Sequence, residues 1–337
     1  MPPVLTVAAH NVSIHPERVP ESSSQALDLE LLPEAETLLW RNQVAEGSLP
    51  EVYGSIEVPH GPEVSWFRTM SRFVGPGTIV AVGYMDPGNW STDLAGGASF
   101  GYPLLFIILL SSLIAMFLQH LAIKVGYATN RDLAQACRDS YSSKYLLYTL
   151  WIITEIAICA TDLAEIIGSA IALNLLLNIP IIAGIIITAA DVLIILFMQN
   201  KRFEWVERIV FALVATVTIC FAVQLGLSNP NPVEVMQGYL PTQRIFSEQD
   251  ILYVAIGIIG ATVMPHNLFL HSSIVLTRAI RPDDRSIKDA IRYSTWDSSL
   301  SLLVAMFVNS SILILAAAVF YKQGYYSVAT VCHSFKF

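Results

Sequence analysis

The amino-acid sequence predicts an all-α polytopic membrane protein of about seven transmembrane helices. Three observations carry this. Of 337 residues, 54% are hydrophobic and 14% charged, with a mean hydropathy of +0.56, whereas a soluble domain carries roughly 25% charged residues. From Phe73 onward the sequence is a series of apolar runs near the ~20 residues that cross hydrocarbon. The loops between the runs alternate between rich and poor in Lys and Arg.

The runs cover 73–99, 102–123, 146–174, 178–199, 206–227, 250–277 and 297–321. Counting Arg68 and Arg72 just before the first run together with the loops after the second, fourth and sixth, fourteen Lys and Arg fall on one side, against three on the other, Arg244, Lys322 and Lys336. Positive charge stays inside, so this predicts a cytoplasmic N-terminus and a C-terminus outside or in a lumen. Plasma membrane and endosomal or vacuolar membrane are both compatible.

Residues 1–65 hold ten acidic and two basic residues, and so carry the whole net charge of −8. They hold eight of the 17 prolines and show no sustained apolar periodicity, which predicts a disordered acidic tail, with a short amphipathic piece possible over Leu27–Trp40. Residues 66–330 form the membrane domain, and 331–337 read as a divergent tail rather than a further span. The acidic balance excludes a nucleic-acid binder working through a basic surface. Cys137, Cys159, Cys220 and Cys332 are far apart, so neither a zinc site nor a disulfide framework is implied. An enzyme is not expected, because no nucleophile–base set or cofactor motif is visible.

Two runs are broken. The first contains Gly83-Tyr84-Met85-Asp86-Pro87-Gly88-Asn89, and the sixth contains Ala261-Thr262-Val263-Met264-Pro265-His266. Proline removes a backbone donor and glycine permits unwound chain. A helix broken at membrane depth exposes carbonyls, which a bound cation can satisfy. Asp86 offers a carboxylate, Asn89 an amide oxygen, Ala261 a carbonyl and Met264 a thioether, and sulfur favours softer transition metals over Mg²⁺ or Ca²⁺. The bland alternatives are a kink with Asp86 as helix cap, and Met264 as lipid-facing packing. Position favours the site, because breaks in helices one and six fit a five-helix inverted repeat.

No Lys or Arg lies at membrane depth, but Glu155, Asp162, Glu165, His266 and His271 do. Glu155, Asp162 and Glu165 share one helical face, which fits a cation path or proton relay. Asp191 and His120 read as satisfied interhelical groups. Asp93 is explained by a place in the first turn of the second half-helix.

Asp86-Pro87-Gly88-Asn89, Gln119-His120-Leu121-Ala122-Ile123-Lys124-Val125-Gly126 and Met264-Pro265-His266-Asn267 together resemble the NRAMP family of proton-coupled divalent metal importers, from about residue 66 to about 330. The resemblance implies a LeuT-like inverted-repeat fold and transported ions Mn²⁺, Fe²⁺ and H⁺, with no resident cofactor. It implies Asp86, Asn89, Met264 and the Ala261 carbonyl as metal ligands, and Glu155, Asp162, Glu165 and His266 as a proton route, with His271 near it. It also implies a longer second repeat than the two helices present here. The chain therefore reads as C-terminally truncated and poor at transport, with Asp162, Glu165 and His266 facing lipid. A non-transporting metal-binding or regulatory fragment, and a Na⁺-coupled amino-acid carrier of the same fold, are the other readings.

Overall fold

The structure is a computed structural model that describes residues 56–58, 66–199, 203–281 and 283–324. The first broken span is resolved into two half-helices, preceded by a short helix. α1 (Trp66–Phe73) leads through Gly75, at φ 135°, into α2 (Pro76–Gly83). Tyr84, Met85 and Asp86 are unwound, and α3 (Pro87–Phe100) begins on proline. A proline at the first helical position loses nothing, because that N–H has no intrahelical partner. Gly101, at φ 77°, ends α3.

α4 (Leu105–Thr129) stops at Asn130 in the left-handed conformation, and α5 (Leu133–Ser140) starts on a reciprocal Asp132–Gln135 capping box. α6 (Lys144–Leu177) is capped by the Ser143 hydroxyl and ends at left-handed Asn178. At 1.5 Å per residue, its 34 residues run about 50 Å, longer than the ~30 Å hydrocarbon layer. α7 (Ile181–Gln199) and α8 (Phe203–Ser228) follow, then two short helices, α9 (Pro232–Gly238) and α10 (Arg244–Ser247). The second broken span is α11 (Gln249–Thr262), unwound chain at Val263 and Met264, and α12 (Pro265–Ile274). α13 (Asp284–Val319) is the longest helix among the described residues.

Among the described residues, five segments are long and apolar enough to cross a membrane: Leu105–Thr129, Lys144–Leu177, Arg208–Ser228, Gln249–Thr277 and Asp284–Val319. The predicted first span misses that length because the break divides it into halves of 8 and 14 residues. α7 occupies the predicted fourth span. The seventh was expected from residue 297, but α13 starts at Asp284, since its first turns are polar and invisible to hydropathy. Within the predicted acidic tail, β1 (Ile56–Glu57) pairs in parallel with β2 (Arg278–Ala279). The remainder of that tail, the piece at 27–40 and residues 331–337 lie outside the described residues.

α13 is the central post, packed on α2, α3, α4 and α8. At one end of it Leu104, Leu105, Ile108, Ile245, Ile251, Ile258 and Leu313 form a buried cluster. At the other, Val58 and Phe73 join Ile123, Tyr127, Val275, Ile287 and Ala290. Between them, Val80, Ala81, Tyr84, Ala115, Leu302 and Ala305 enclose the first break. α6 packs on α7 and on α3, and leaves large apolar side chains such as Trp151, Ile156 and Leu163 exposed.

Candidate metal centre

The two breaks meet. Asp86 stands at the cap position of α3, in extended conformation, and its Oδ1 accepts the backbone N–H of Asn89 at 2.9 Å. The helix cap considered as the bland alternative is therefore real, but it does not use up the residue. Asn89 Nδ2 donates to the same Oδ1 at 2.5 Å and to the carbonyl oxygen of Ala261 at 3.1 Å. One amide thus spans from the carboxylate of the first break to a carbonyl that opens the second. Thr262 Oγ1 lies 3.1 Å from Asn89 Oδ1 as its donor and 2.7 Å from the Ile258 carbonyl, and Ser111 donates to Thr262 at 3.4 Å. Asp86, Asn89, Thr262 and Met264 are all buried.

The amide is oriented with its N–H₂ group toward the two oxygens expected to ligate a metal, and its own oxygen toward Thr262. Sequence reasoning placed the Asn89 oxygen on the ion; here the nitrogen holds that side. Met264 is the unwound residue before Pro265, three positions after Ala261, with 5% of its surface exposed. It is not lipid-facing packing. Among the described residues no three His, Cys, Asp or Glu side chains gather as a metal cluster. The hydrogen-bonded groups that meet at the breaks are one carboxylate, one amide, one hydroxyl and one backbone carbonyl, and Met264 is buried in the second break.

The expected proton-route residues divide into three groups. Glu155, Asp162 and Glu165 all lie on α6 and are exposed, with Glu155 accepting from Trp151 Nε1 at 3.0 Å. His266 was expected to face lipid; instead it is half-buried in the first turn of α12, and its Nδ1 is covered without a hydrogen bond. Proline at the head of α12 turns this residue inward beside the break. His271 is fully buried and joined to Gln119 Oε1 at 2.7 Å, and Gln119 Nε2 donates to Tyr84 Oη at 2.9 Å. That chain ends at the first break and braces it. His120 is satisfied by Thr295 at 2.9 Å, as expected, while the side chain of Asp191 lies outside the described set.

Several participants were not singled out from sequence. Thr262 sits one residue from a flagged carbonyl, and that adjacency was the available signal. Asn309 of α13 donates to the unwound Tyr84 carbonyl at 2.9 Å. Asp297 of α13 accepts Gly77 N at 2.7 Å and Gly75 N at 3.4 Å, fixing the start of α2. The buried Arg278 donates to the carbonyls of Arg72 and Val74, each at 3.1 Å. Close approach also needs glycine: a Cβ on Gly83 would meet the Asn267 amide at 2.5 Å, and one on Gly168 of α6 would meet Pro87 at 2.5 Å.

Comparison with known proteins adds kinship to this geometry. Residues 77–335 match the family model described as natural resistance-associated macrophage protein-like. A divalent metal cation transporter MntH of Nostoc sp. is 53% identical over 289 residues, which cover 86% of this chain and 65% of that relative. The MntH of Bradyrhizobium diazoefficiens is 50% identical, covering 88% of this chain and 66% of the relative. The manganese transporter of Eremococcus coleocola, solved with an aromatic bis-isothiourea substituted compound, superposes with a TM-score of 0.74 at 45% identity, covering 81% of this chain and 56% of that one. The chain thus spans about two thirds of the length of the curated relatives it matches.

Proposed function

Since the chain belongs to the Nramp family and has its LeuT-like helical membrane fold, we propose that it builds the metal-holding half of a proton-coupled transporter of divalent transition-metal ions, chiefly Mn²⁺ and Fe²⁺. Relatives at about half identity bear the name divalent metal cation transporter, and the matched structure is a manganese transporter. The observation that carries the reading is the Asn89 amide, which bridges the Asp86 carboxylate and the Ala261 carbonyl across the two breaks.

In the ion-free state this N–H₂ group acts as a neutral stand-in for a cation. An entering Mn²⁺ takes the carboxylate of Asp86 and the Ala261 carbonyl, and the amide turns over to present its oxygen. Thr262 makes that turn cheap, because its hydroxyl both donates and accepts. It then donates its hydrogen bond to the Ile258 carbonyl and accepts one from Asn89 Nδ2. Met264 supplies the soft donor that Ca²⁺ and Mg²⁺ use poorly. Closing either half-helix around the ion then changes which side of the membrane reaches the site. Glu155, Asp162, Glu165 and His266 serve the returning or accompanying proton, with His271 held apart in the Gln119 chain. The N-terminus is cytoplasmic, and the membrane is plasma, endosomal or vacuolar.

Titration of the purified chain with Mn²⁺ by calorimetry tests this. Wild type should bind, and Asp86→Ala should lose binding while keeping its helical content. Undiminished binding by Asp86→Ala would overturn the assignment. The exposed carboxylates of α6 favour one further reading, a metal-binding fragment without flux, seen as Mn²⁺ binding with no uptake into vesicles. An amino-acid carrier fits less well, because Asp86 already occupies the helix end that a substrate carboxylate would need.

A further inference from the structure

α4 and α13 lie antiparallel: Leu105 and Leu313 share one buried cluster, and Tyr127 and Ile287 share the other. Near the second cluster the helices are joined by His120 Nδ1 and Thr295 Oγ1 at 2.9 Å and by Tyr127 Oη and Ser294 Oγ at 3.0 Å. Lys124 stands one turn past His120, and Arg292 one turn before Thr295. Because the helices run in opposite senses, both turns fall on the same side of the His120–Thr295 bond. Two exposed cations therefore stand on neighbouring turns of adjacent helices. Lys288, exposed and four residues before Arg292, continues the same face of α13.

Their depth follows from helix rise. From Trp296 to Val319 α13 climbs about 35 Å, and from Leu105 to Lys124 α4 climbs about 29 Å, each near the ~30 Å of hydrocarbon. Lys124 and Arg292 thus reach headgroup level, with the exposed indole of Trp296 at the boundary beneath them. Below that boundary both helices turn apolar side chains outward, Phe117 and Leu121 on α4, Leu300 and Leu303 on α13.

Carboxylates leave these cations unneutralised. Among the described residues neither Lys124, Lys288 nor Arg292 forms an ion pair. Asp283 caps the Ser286 N–H at 3.0 Å, and Asp284 lies two turns before Arg292. Asp289 projects about 100° round the helix from Lys288, away from the Thr295 side. On α5, Asp139 pairs with Arg131 and Arg138. Topology asks only for a number of positive charges on one side of the membrane. It does not ask that cations of two helices be aligned at the head of one lipid-facing seam.

We propose that the seam between α4 and α13 is a binding site for an anionic phospholipid of the leaflet on the Lys- and Arg-rich side. Lys124 and Arg292 hold the phosphate, Lys288 reaches the headgroup, and the acyl chains lie along the apolar stripes below. The site shares no residue with the two breaks, so it stands or falls apart from the metal reading.

Thermal unfolding of the full chain in neutral detergent, followed by circular dichroism, tests this as short-chain phosphatidylglycerol is added. Wild type should show a saturable rise in Tm that phosphatidylcholine of the same chain length does not give. Lys124→Gln/Arg292→Gln should keep its helical content and need about 25-fold more phosphatidylglycerol, roughly fivefold for each cation removed. The charge-matched Arg138→Gln/Lys144→Gln, on the same side but off the seam, should respond as wild type does. No rise in wild type, an equal rise with phosphatidylcholine, or an undiminished response in Lys124→Gln/Arg292→Gln overturns the proposal. So does an equal loss in Arg138→Gln/Lys144→Gln, which marks general attraction, or an equal rise with glycerol phosphate, which marks a soluble anion. If Lys124→Gln/Arg292→Gln does not fold, Lys288→Gln reads the same titration with about a fivefold weaker response. An unchanged half-saturation there overturns the proposal.

Discussion

Replacing Thr262 with Val isolates the part of the site that holds the Asn89 amide. The side chains are nearly the same shape, so little packing changes. What goes is the hydroxyl that donates to Asn89 Oδ1 at 3.1 Å. Asn89 is 1% exposed, so water cannot replace that donor. A buried acceptor left without a partner costs about 1–3 kcal/mol. The bond to the Ile258 carbonyl adds little, since that oxygen sits inside α11 and keeps its helical partner. The chain should therefore unfold about 1–3 kcal/mol more easily in detergent mixed with increasing SDS, followed by circular dichroism. Mn²⁺ affinity should change much less, because the hydroxyl serves the amide before and after it turns. Thr262→Ser should restore stability. A Thr262→Val chain as stable as wild type, or a Thr262→Ser chain no better than Val, would refute the bridging role given to Asn89.

Other outcomes follow from single contacts. Met264→Ala should raise Ca²⁺ and Mg²⁺ affinity relative to Mn²⁺, and an unchanged ratio in calorimetry removes Met264 from the selectivity of the site. Gly97→Ala should destabilise the chain by about 1–3 kcal/mol in the same SDS titration, since its Cβ would meet that of Ala316 at 2.7 Å and crowd the Leu313 carbonyl. Asp132→Ala should cost about 1 kcal/mol by removing the α5 capping box. Mn²⁺ flux into vesicles holding the 337-residue chain alone should fall well below that of a full-length relative, because Asp162 and Glu165 stand exposed.

The spans were legible because lipid demands long apolar runs, and the breaks because Pro87 and Pro265 cannot continue a helix. That Asp86, Asn89 and Ala261 converge was expected from the resemblance of the two interrupted motifs to the family, while the residues alone left a simple kink open. The orientation of the Asn89 amide was not, because it depends on Thr262, which reads in sequence as one more small residue in an apolar run. Asp93 was misplaced by count: it is the seventh residue from Pro87, past the first turn of α3, and the sequence already carried that distance. Asn309 and Asp297 were silent because a lone polar residue in a long helix does not announce which distant backbone it will hold.

Arg278 belongs to two structures at once. It is the first residue of the strand that pairs with Ile56–Glu57, and its guanidinium grips the carbonyls just ahead of the first half-helix. The strand Ile56–Glu57 is therefore moored a single side chain away from the turn at Gly75 that precedes Pro76. A change at that strand therefore reaches the start of the first half-helix by two routes, through the Arg278 guanidinium and through Val58, which packs against Phe73 in the same buried cluster.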